Sequence, residues 1–476
     1  MIGGTTTWLA LLSLIVAMLA SGHAILYKND NRATVAWVGV IWLAPLLGSL
    51  LYLLLGINRI RRRAHALRGT LPRIQGERDL DAYLPNVLEQ FVPQSLLPLS
   101  RLSNRVARQP LLGGNTLTVL HNGDQAYPAM LTAIRSARES ITLSTYIFNR
   151  DRVGREFVDA LSEARQRGVA IRVLVDAVGL RYSMPSIEGL LKRDSIPTAK
   201  FMPARLPWLV RFMNLRNHRK LLVVDGHKGF IGGMNIAAGN VLDETTHHPI
   251  RDIHFEVEGP VVSEMQAVFA EDWLFAVGED LRHRAFFPIP RTPGASLARI
   301  VADGPDENYD TLRQILLGAL NAAQHRIAIM TPYFLPDASL QDALGAAALR
   351  GVQVDVILPE KNNLSLVSWA IEAQLAPMMR WGVQFHFRPG PFDHSKLFTV
   401  DGQWAMIGSA NWDPRSLSLN FECNLECYDE WFVQSLESHF RDCLVESQAV
   451  DSTWQKRFTL ARRLRNGLAR LLTPYL

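Results

Sequence analysis

The sequence predicts two similar α/β domains packed as a pseudo-twofold pair, preceded by a hairpin of two transmembrane helices. Three observations support this fold class. A short motif with the same spacing of His, Lys, Asp and Asn occurs twice. Apolar strands alternate with helical periods in both halves of the chain, a pattern typical of a mixed or parallel sheet flanked by helices. The N-terminal end contains two long runs without Asp, Glu, Lys or Arg.

The N-terminal runs are residues 2–27 and 33–57, and each is long enough to span a bilayer. The run of basic residues that follows is Arg59, Arg61, Arg62, Arg63 and Arg68. The positive-inside rule then places both ends of the hairpin and everything downstream in the cytoplasm. A cleaved signal peptide ending near Ala24 lacks a basic n-region and leaves the second run unexplained. A buried core hairpin is the other alternative.

The composition supplies enough apolar material for two cores and membrane segments. Of the 476 residues, 48% are hydrophobic, and the formal net charge is +5. The three cysteines, Cys423, Cys427 and Cys443, form neither a disulfide framework nor a zinc-binding spacing. We therefore expect them to be reduced, which favours a cytosolic location for the domains that contain them.

Four regions are predicted along the chain: membrane helices at 1–58, a basic, proline-containing linker at 59–110, a first α/β domain at 111–290 and a second at 291–476. The boundary between the domains lies in the proline-rich segment 288–294. The repeated strand, helix and strand are predicted at 141–148, 153–166 and 169–176, and again at 326–333, 339–349 and 352–358.

Two further segments suggest contact with a membrane. The tail after Asp451 has six basic residues, no acidic residue and regularly spaced apolar side chains, which predicts a basic amphipathic helix. Such a helix either binds an anionic leaflet or packs on the protein's own core. Segment 206–215 mixes Trp, Phe and Met with one Arg, and we expect it to form a membrane-facing lip.

The repeated motif contains the candidate functional residues, which are His218, Lys220, Asp225, Gly233 and Asn235 in the first copy and His394, Lys396, Asp401, Ser409 and Asn411 in the second. His and Lys two residues apart on a strand project to the same face. The Asp-Gly pair that ends each strand predicts a hairpin. A hairpin closing symmetrically about 226–227 sets Asn235 opposite His218 and Gly233 opposite Lys220, and the second copy sets Asn411 and Ser409 opposite His394 and Lys396.

These residue types suit exchange at a phosphodiester. Displacement needs a nucleophile and an acid that protonates the leaving alkoxide, and two histidines with pKa values near 6.5 can supply both. Lysines and asparagines can hold the phosphoryl oxygens as charge develops. No metal or other cofactor is required. Asp225 and Asp401 belong to the candidate catalytic set, although their position at strand ends favours a role as turn anchors.

The spacing resembles the HxKxxxxDxxxxxxG[GS]xN signature of the phospholipase D superfamily. Further segments resemble bacterial cardiolipin synthases, namely Asn214 to Lys220, Gly232 to Ile236, Arg251 to His254 with Glu258 to Pro260, Thr331 to Asp337 and Asn420 to Glu422. The resemblance covers nearly the whole chain and implies two phospholipase D-like domains.

The resemblance also implies roles for individual residues. The first-copy histidine, His218, is the expected nucleophile of a phosphohistidine intermediate, and His394 is the expected acid. A carboxylate is expected behind each imidazole, with Glu422 assigned to the second copy and Asp252 to the first. An ion pair between Asp252 and Arg251 is the alternative for that carboxylate.

The implied activity is that of a phosphatidyltransferase of the bacterial inner membrane, which condenses two phosphatidylglycerol molecules into cardiolipin and glycerol. The expected partners are anionic phospholipids and the membrane. The alternatives are phospholipase D-type hydrolysis and use of phosphatidylethanolamine, since Asn235-Ile-Ala-Ala-Gly-Asn240 departs from the Asn-Ile-Gly-Asp-Glu-Tyr common in the family. No nucleic-acid partner is expected, because the paired spans confine the chain to a bilayer. A scaffold would not need two intact sets of His, Lys and Asn.

Overall fold

The computed structural model describes residues 2–28, 31–56, 88–202, 215–242, 248–305, 310–451 and 453–473. The chain divides into two compact units, Met1–Leu67 and Arg68–Leu476. The second unit contains both copies of the motif. The division at residue 290 stays a prediction.

The N-terminal unit is a helical hairpin. Its helices are α1 (Ile2–Tyr27), α2 (Asn31–Leu43) and α3 (Pro45–Leu51), followed by a π-helical turn (Tyr52–Gly56). The second apolar run is therefore not one continuous helix, because Pro45 has no backbone N–H to continue α2. Within the described residues, Ala10–Tyr27 is long and apolar enough to cross a membrane, whereas Ala33–Leu43 is shorter. The predicted arginine run lies outside the described residues.

The strands of the second unit fall into two series. The first series is β1 (Leu112–His121), β2 (Ser140–Thr145), β3 (Ala170–Asp176), β4 (Thr198–Phe201), β5 (Arg216–Asn217), β6 (Leu221–Val224), β7 (Lys228–Gly232), β8 (Ile250–Arg251) and β9 (Ile253–Glu258). The second series is β10 (Ser296–Asp303), β11 (Arg326–Met330), β12 (Gln353–Pro359), β13 (Gln384–Arg388), β14 (Phe392–Asp393), β15 (Leu397–Val400), β16 (Trp404–Gly408), β17 (Asn420–Tyr428) and β18 (Gln448–Ala449).

The two series form halves of one continuous sheet, apart from β8 and β14, which make a separate two-stranded sheet, and β5, which branches from β17. From the centre outward, the first half has the order β1, β9, β7, β6, β2, β3, β4, and the second has β10, β17, β16, β15, β11, β12, β13, with β18 at the edge. Strands β1 and β10 pair in antiparallel fashion and join the halves. Because the two orders are the same, the described strands have the predicted pseudo-twofold arrangement. The prediction of a repeated α/β fold is confirmed.

The helices of the second unit are α4 (Leu97–Val106), α5 (Asn122–Ser136), α6 (Arg152–Gln166), α7 (Glu188–Arg193), α8 (Val261–Val277), α9 (Thr311–Ala322), α10 (Ala338–Leu349), α11 (Ser365–Arg380), α12 (Pro414–Ser418), α13 (Glu430–Val445) and α14 (Leu460–Leu471). The short 3-10 helices are Glu89–Phe91, Gln94–Leu96, Gly179–Tyr182, Ala238–Asn240 and Trp454–Arg457. The predicted strand, helix and strand occur in both halves, as β2, α6 and β3 and as β11, α10 and β12.

The motif hairpins differ from the predicted register by one residue. Leu221 pairs with Ile231. Extending this register by one pair places Gly232, and not Gly233, opposite Lys220. The second hairpin has the same shift, since Leu397 pairs with Ile407. The cause is the turn, which begins one residue earlier than predicted. Asp225 has a φ of 52° and Gly226 a φ of 62°, and the N–H of His227 donates to the carbonyl of Val224.

The C-terminal tail forms the predicted helix, α14, which packs on α11. Arg462 forms an ion pair with Glu372, and Ala469 is buried. An opposite face is exposed and consists of Leu460, Leu464, Leu468 and Leu471. Both alternatives for the tail therefore have a structural counterpart, on different faces of one helix. Most of the predicted lip at 206–215 lies outside the described residues.

Candidate functional site

The first histidine, His218, lies between β5 and β6. Strand β5 pairs in parallel with β17 of the other half, with Asn217 opposite Phe421. The N–H of His218 donates to the carbonyl of Phe421 at 2.9 Å. This pairing brings the next residue of β17, Glu422, beside the imidazole. The Nδ1 atom of His218 lies 3.0 Å from both carboxylate oxygens.

The second histidine, His394, is positioned by a corresponding pairing. Strand β14 pairs in parallel with β8, with Asp393 opposite Arg251. The N–H of His394 donates to the carbonyl of Arg251 at 2.7 Å. Asp252 follows directly, and its Oδ2 lies 3.0 Å from Nδ1 of His394.

Each imidazole therefore takes its carboxylate from the opposite half. The predicted assignment of Glu422 to His394 and Asp252 to His218 is wrong, because short parallel pairings between the halves exchange the two carboxylates. The alternative ion pair of Asp252 with Arg251 is not what the structure has, since Arg251 lies 3.5 Å from Glu446.

The Gly and Ser of the motif accommodate these carboxylates. Ser409 Oγ donates to Glu422 Oε2 at 2.5 Å, and Asn420 donates to Oε1 at 3.1 Å. A Cβ atom on Gly233 would lie 3.0 Å from both oxygens of Asp252 and 3.1 Å from Nζ of Lys396. A larger side chain at position 233 would therefore crowd the carboxylate and the lysine.

The two lysines are buried beside their histidines. Nζ of Lys220 donates to the carbonyl of His218 at 2.7 Å, and Nζ of Lys396 donates to that of His394 at 2.6 Å. Burial lowers the pKa of Lys220 to about 7, and the charge of Lys396 adds to this effect. Burial lowers the pKa of Lys396 to about 8. An anion entering the site would relieve this repulsion and favour the charged ammonium groups.

The two imidazoles are also shifted towards the neutral form. Burial lowers the pKa of His218, although Glu422 opposes the shift. Burial lowers the pKa of His394 further, and Lys396, Lys220 and His218 add to the effect.

The carboxylates respond differently to burial, which makes the two pairs unequal. Burial raises the pKa of Asp252 to about 7. Burial also acts to raise the pKa of Glu422, but His218, Lys220 and the Ser409 hydrogen bond outweigh it and the net pKa is lowered. Near pH 7 the Asp252 carboxyl beside His394 is therefore protonated in part of the molecules, whereas Glu422 is ionised.

Both imidazoles line one cavity with a volume of about 520 Å³. Asn235 and Asn411 also line it, which brings the predicted His and Asn of both copies together. Their amides are held in place, since Asn235 Oδ1 accepts from the N–H of Ile147 and Asn411 Nδ2 donates to Ser416 Oγ.

Asp225 and Asp401 lie away from the cavity. The carboxylate of Asp225 accepts from the backbone N–H groups of residues 138, 139 and 140, and that of Asp401 from residues 324, 325 and 326. Each carboxylate thus holds its hairpin against the start of a neighbouring strand. Asp225 and Asp401 therefore act as turn anchors. Their predicted membership of the catalytic set disagrees with these contacts.

The prediction omitted several residues of the cavity. Two of these are cationic, Arg216 and Arg415, and one is acidic, Asp413. Arg216 precedes His218 by two residues on an extended segment, so the spacing that singled out Lys220 could also have indicated Arg216. Arg415 has no such signal, because α12 brings it to the cavity through tertiary structure. Tyr146 and Tyr333 also line the cavity, with ring centroids 5.3 Å from that of His218 and 6.3 Å from that of His394.

Among the residues that the structure describes, no group of three or more His, Cys, Asp or Glu side chains is arranged to hold a metal ion.

Comparison with known proteins identifies the family. The family model described as "Cardiolipin synthase, PLD-like domain" matches residues 130–273 and 316–444. The chain belongs to this family. A second model, "Phospholipase_D-nuclease N-terminal", matches residues 8–56. The repeated domain of this phospholipase D-type enzyme thus includes both histidines.

Curated relatives match almost the entire length. Cardiolipin synthase A of Pseudomonas fluorescens is 33% identical, and the match covers 96% of each chain. Cardiolipin synthase 2 of Bacillus cereus is 32% identical over 97% of this chain and 90% of its own. Phosphatidylserine synthase of Haemophilus influenzae is a structural neighbour with a TM-score of 0.62, 14% sequence identity and coverage of 79% of this chain and all of its own. This last likeness concerns the fold alone.

Proposed function

We propose that this enzyme transfers a phosphatidyl group from one phosphatidylglycerol to the terminal hydroxyl of a second, releasing glycerol and forming cardiolipin. The observation that carries this proposal is the cavity shared by His218 and His394, each with a carboxylate at Nδ1. Relatives named cardiolipin synthase, matched along nearly the full length of the chain, support the choice of lipid.

In the first step, Nε2 of His218 attacks phosphorus and the bond from phosphorus to the headgroup glycerol oxygen breaks. The Nδ1–H of His218 donates to Glu422, which leaves the lone pair of Nε2 free. His394 gives the proton of its Nε2 to the departing alkoxide while its Nδ1 takes the proton of Asp252, and glycerol leaves. Lys220 and Lys396 stabilise the negative charge on the phosphoryl oxygens.

In the second step, neutral His394 takes the proton of the acceptor hydroxyl. The hydroxyl oxygen attacks phosphorus, the bond from phosphorus to nitrogen breaks, and His218 is released. One phosphodiester replaces another, so no nucleotide-activated donor is needed. The raised pKa of Asp252, which makes a proton available 3.0 Å from Nδ1 of His394, supports His394 as the acid and His218 as the nucleophile.

A lipid-product assay with labelled phosphatidylglycerol tests the proposal. We expect cardiolipin and glycerol from the wild type and neither from His218→Ala or His394→Ala. Phosphatidic acid as the sole product would identify a hydrolase and contradict the proposal. Addition of phosphatidylethanolamine checks the other alternative, which the named relatives do not favour.

We further propose that the enzyme is held in the inner membrane by two passes of its N-terminal hairpin, with the catalytic unit in the cytoplasm. The apolar helix α1 supports membrane attachment. The three cysteines are buried and free, which agrees with a reducing compartment. The exposed leucine face of α14 and the basic residues of the tail are suited to an anionic leaflet.

A further inference from the structure

The catalytic cavity is electrostatically asymmetric. Aromatic rings flank both imidazoles, since Phe392 and Tyr333 lie 6.0 and 6.3 Å from His394 and Tyr146 lies 5.3 Å from His218. Arg216 stands at the position of the first half that corresponds to Phe392, two residues before the histidine. A guanidinium in one half thus replaces an aromatic ring in the other. The repeated motif does not require this difference.

The two cavity arginines come from different halves of the enzyme. Arg216 is buried on β5, and its Nη1 donates to the carbonyl of Leu215 at 2.9 Å. Arg415 is half-buried on α12, four residues after Asn411. Burial lowers the pKa of Arg216, the carboxylate of Asp176 opposes this shift, and the charge of Arg415 adds to it.

Neither arginine is neutralised by an ion pair within the described part of the chain. Two carboxylates, Asp176 and Asp413, interact electrostatically with Arg216 and Arg415 respectively without forming an ion pair with them, and both accept backbone hydrogen bonds. Asp176 accepts from the backbone N–H groups of Val178, Gly179 and Asn217. Asp413 accepts from the N–H of Ser416, and burial raises its pKa to about 6. The arginines therefore retain donors for an anion in the cavity.

The reaction brings two phosphates into this cavity. One is the phosphoryl group on His218, which the two buried lysines accompany. The other belongs to the acceptor lipid and remains intact. We propose that Arg216 and Arg415 bind the phosphodiester of the acceptor phosphatidylglycerol. This inference rests on the proposed function. It adds a reason why a lipid acceptor is preferred over water, because water has no phosphodiester charge for the arginines to bind.

The test compares acceptors with and without a phosphate. Full-length enzyme in mixed micelles receives phosphatidylglycerol labelled in its phosphatidyl group, and cardiolipin formation is measured. In parallel, labelled free glycerol serves as the acceptor, and its transfer into phosphatidylglycerol is measured. Because glycerol carries no phosphate, this second assay measures formation and use of the phosphohistidine without an acceptor phosphate in the cavity.

For Arg415→Gln we expect cardiolipin formation at subsaturating lipid to fall by about tenfold or more, the effect of one lost charge-assisted contact. Glycerol incorporation should change by less than about twofold, since that acceptor makes no such contact. Arg216→Gln should behave in the same way, and Arg216→Lys, which keeps the charge, should recover part of the loss. Arg181→Gln is the matched control, because Arg181 is exposed on the neighbouring 3-10 helix and does not line the cavity.

Equal losses with both acceptors would overturn the proposal, because the arginines would then act on the reacting phosphoryl group. Unchanged cardiolipin formation in Arg415→Gln would also overturn it, whatever the activity of Arg216→Lys. If Arg216→Gln does not fold, the ratio of cardiolipin formation to glycerol incorporation in Arg415→Gln and Arg216→Lys decides between the outcomes. A wild-type enzyme that makes no cardiolipin but incorporates glycerol would contradict the proposed function instead, so the two failures are distinguishable.

Discussion

At the residue scale, two chemically equal imidazoles are made unequal by their carboxylates. Glu422 receives hydrogen bonds from Ser409 and Asn420, whereas Asp252 Oδ1 receives one from the N–H of Ile253. More donors stabilise the carboxylate anion, which helps to keep Glu422 ionised while burial raises the pKa of Asp252 to about 7. This difference favours one histidine as a nucleophile and the other as a proton carrier.

A donor whose headgroup leaves as an anion tests this division of roles. With a phosphatidyl p-nitrophenyl ester, departure of the headgroup needs no acid. We expect His394→Ala to release a burst of nitrophenolate of about one equivalent and to retain a labelled phosphohistidine, because His218 still attacks. His218→Ala should give no burst. The opposite result in the two variants would assign the nucleophile to His394.

The pH dependence of the reaction should follow the pair of Asp252 and His394. Because burial raises the pKa of Asp252 to about 7, the pair loses its proton as the pH rises above that value, and kcat/KM should fall on the alkaline side. Asp252→Asn removes this titrating carboxyl and leaves the transferred proton to His394, whose pKa burial lowers. We expect its alkaline limb to move to lower pH and its kcat at neutral pH to fall by about 10²-fold.

Glu422→Gln is the matched control for this experiment. It should reduce the rate while leaving the alkaline limb in place, because Glu422 orients the nucleophile and does not carry the transferred proton. An unmoved alkaline limb in Asp252→Asn would contradict the assignment of His394 as the acid.

At the scale of single elements, α14 presents unlike faces to the protein and to its surroundings. The face with Arg462, Arg465 and Ala469 packs on α11, and the guanidinium of Arg465 lies 4.4 Å from the ring centroid of Trp369. The exposed face is a row of leucines. Each leucine moved from water into lipid contributes about 1.5–3 kcal/mol, and each nearby basic residue adds about 1 kcal/mol on an anionic surface.

A fluorescent probe on this face tests for membrane contact. In Leu464→Cys, the probe can be attached selectively because the native cysteines are buried. We expect an environment-sensitive dye at position 464 to shift to shorter emission wavelengths when the enzyme is reconstituted with phosphatidylglycerol vesicles. Leu349→Cys is the control, since Leu349 is 70% exposed on another helix against 61% for Leu464. Equal spectra at the two positions would contradict the membrane role of α14.

Periodicity predicts the strand, helix and strand that occur in each half of the second unit. Helix α6 begins at Arg152 and β3 ends at Asp176, within one residue of the predicted bounds, because alternation of apolar residues reports burial directly. The hairpin register could not be predicted from the pattern. Whether Asp225 adopts a positive φ decides the register, and an Asp-Gly pair permits more than one turn.

At the scale of the whole molecule, the active site depends on both halves of one chain. Parallel pairing of β5 with β17 and of β8 with β14 crosses between the halves and delivers each carboxylate to the opposite histidine. Helices α8 and α13 bury side chains of both halves in a common core, which includes Val262, Ile300 and Phe432. Separation of the halves would therefore disrupt both imidazole pairs at once.

A mixing experiment follows from this intrachain arrangement. We expect a mixture of His218→Ala and His394→Ala proteins in shared micelles to remain inactive in cardiolipin formation, because each molecule lacks one imidazole of its own site. As a control, wild-type enzyme mixed with either variant should show activity in proportion to the wild-type protein. Recovery of activity by the two variants together would indicate sites assembled from different chains.

The sequence by itself determined the repeat, the His, Lys and Asn that could handle a phosphodiester, and the N-terminal apolar helix. These depend on local spacing and composition, which a linear pattern contains. Tertiary structure alone decided the exchange of Glu422 and Asp252, the removal of Asp225 and Asp401 from the site and the arrival of Arg415 in the cavity. Each depends on pairing between segments far apart in the chain, and no local preference specifies which distant strand a residue will meet.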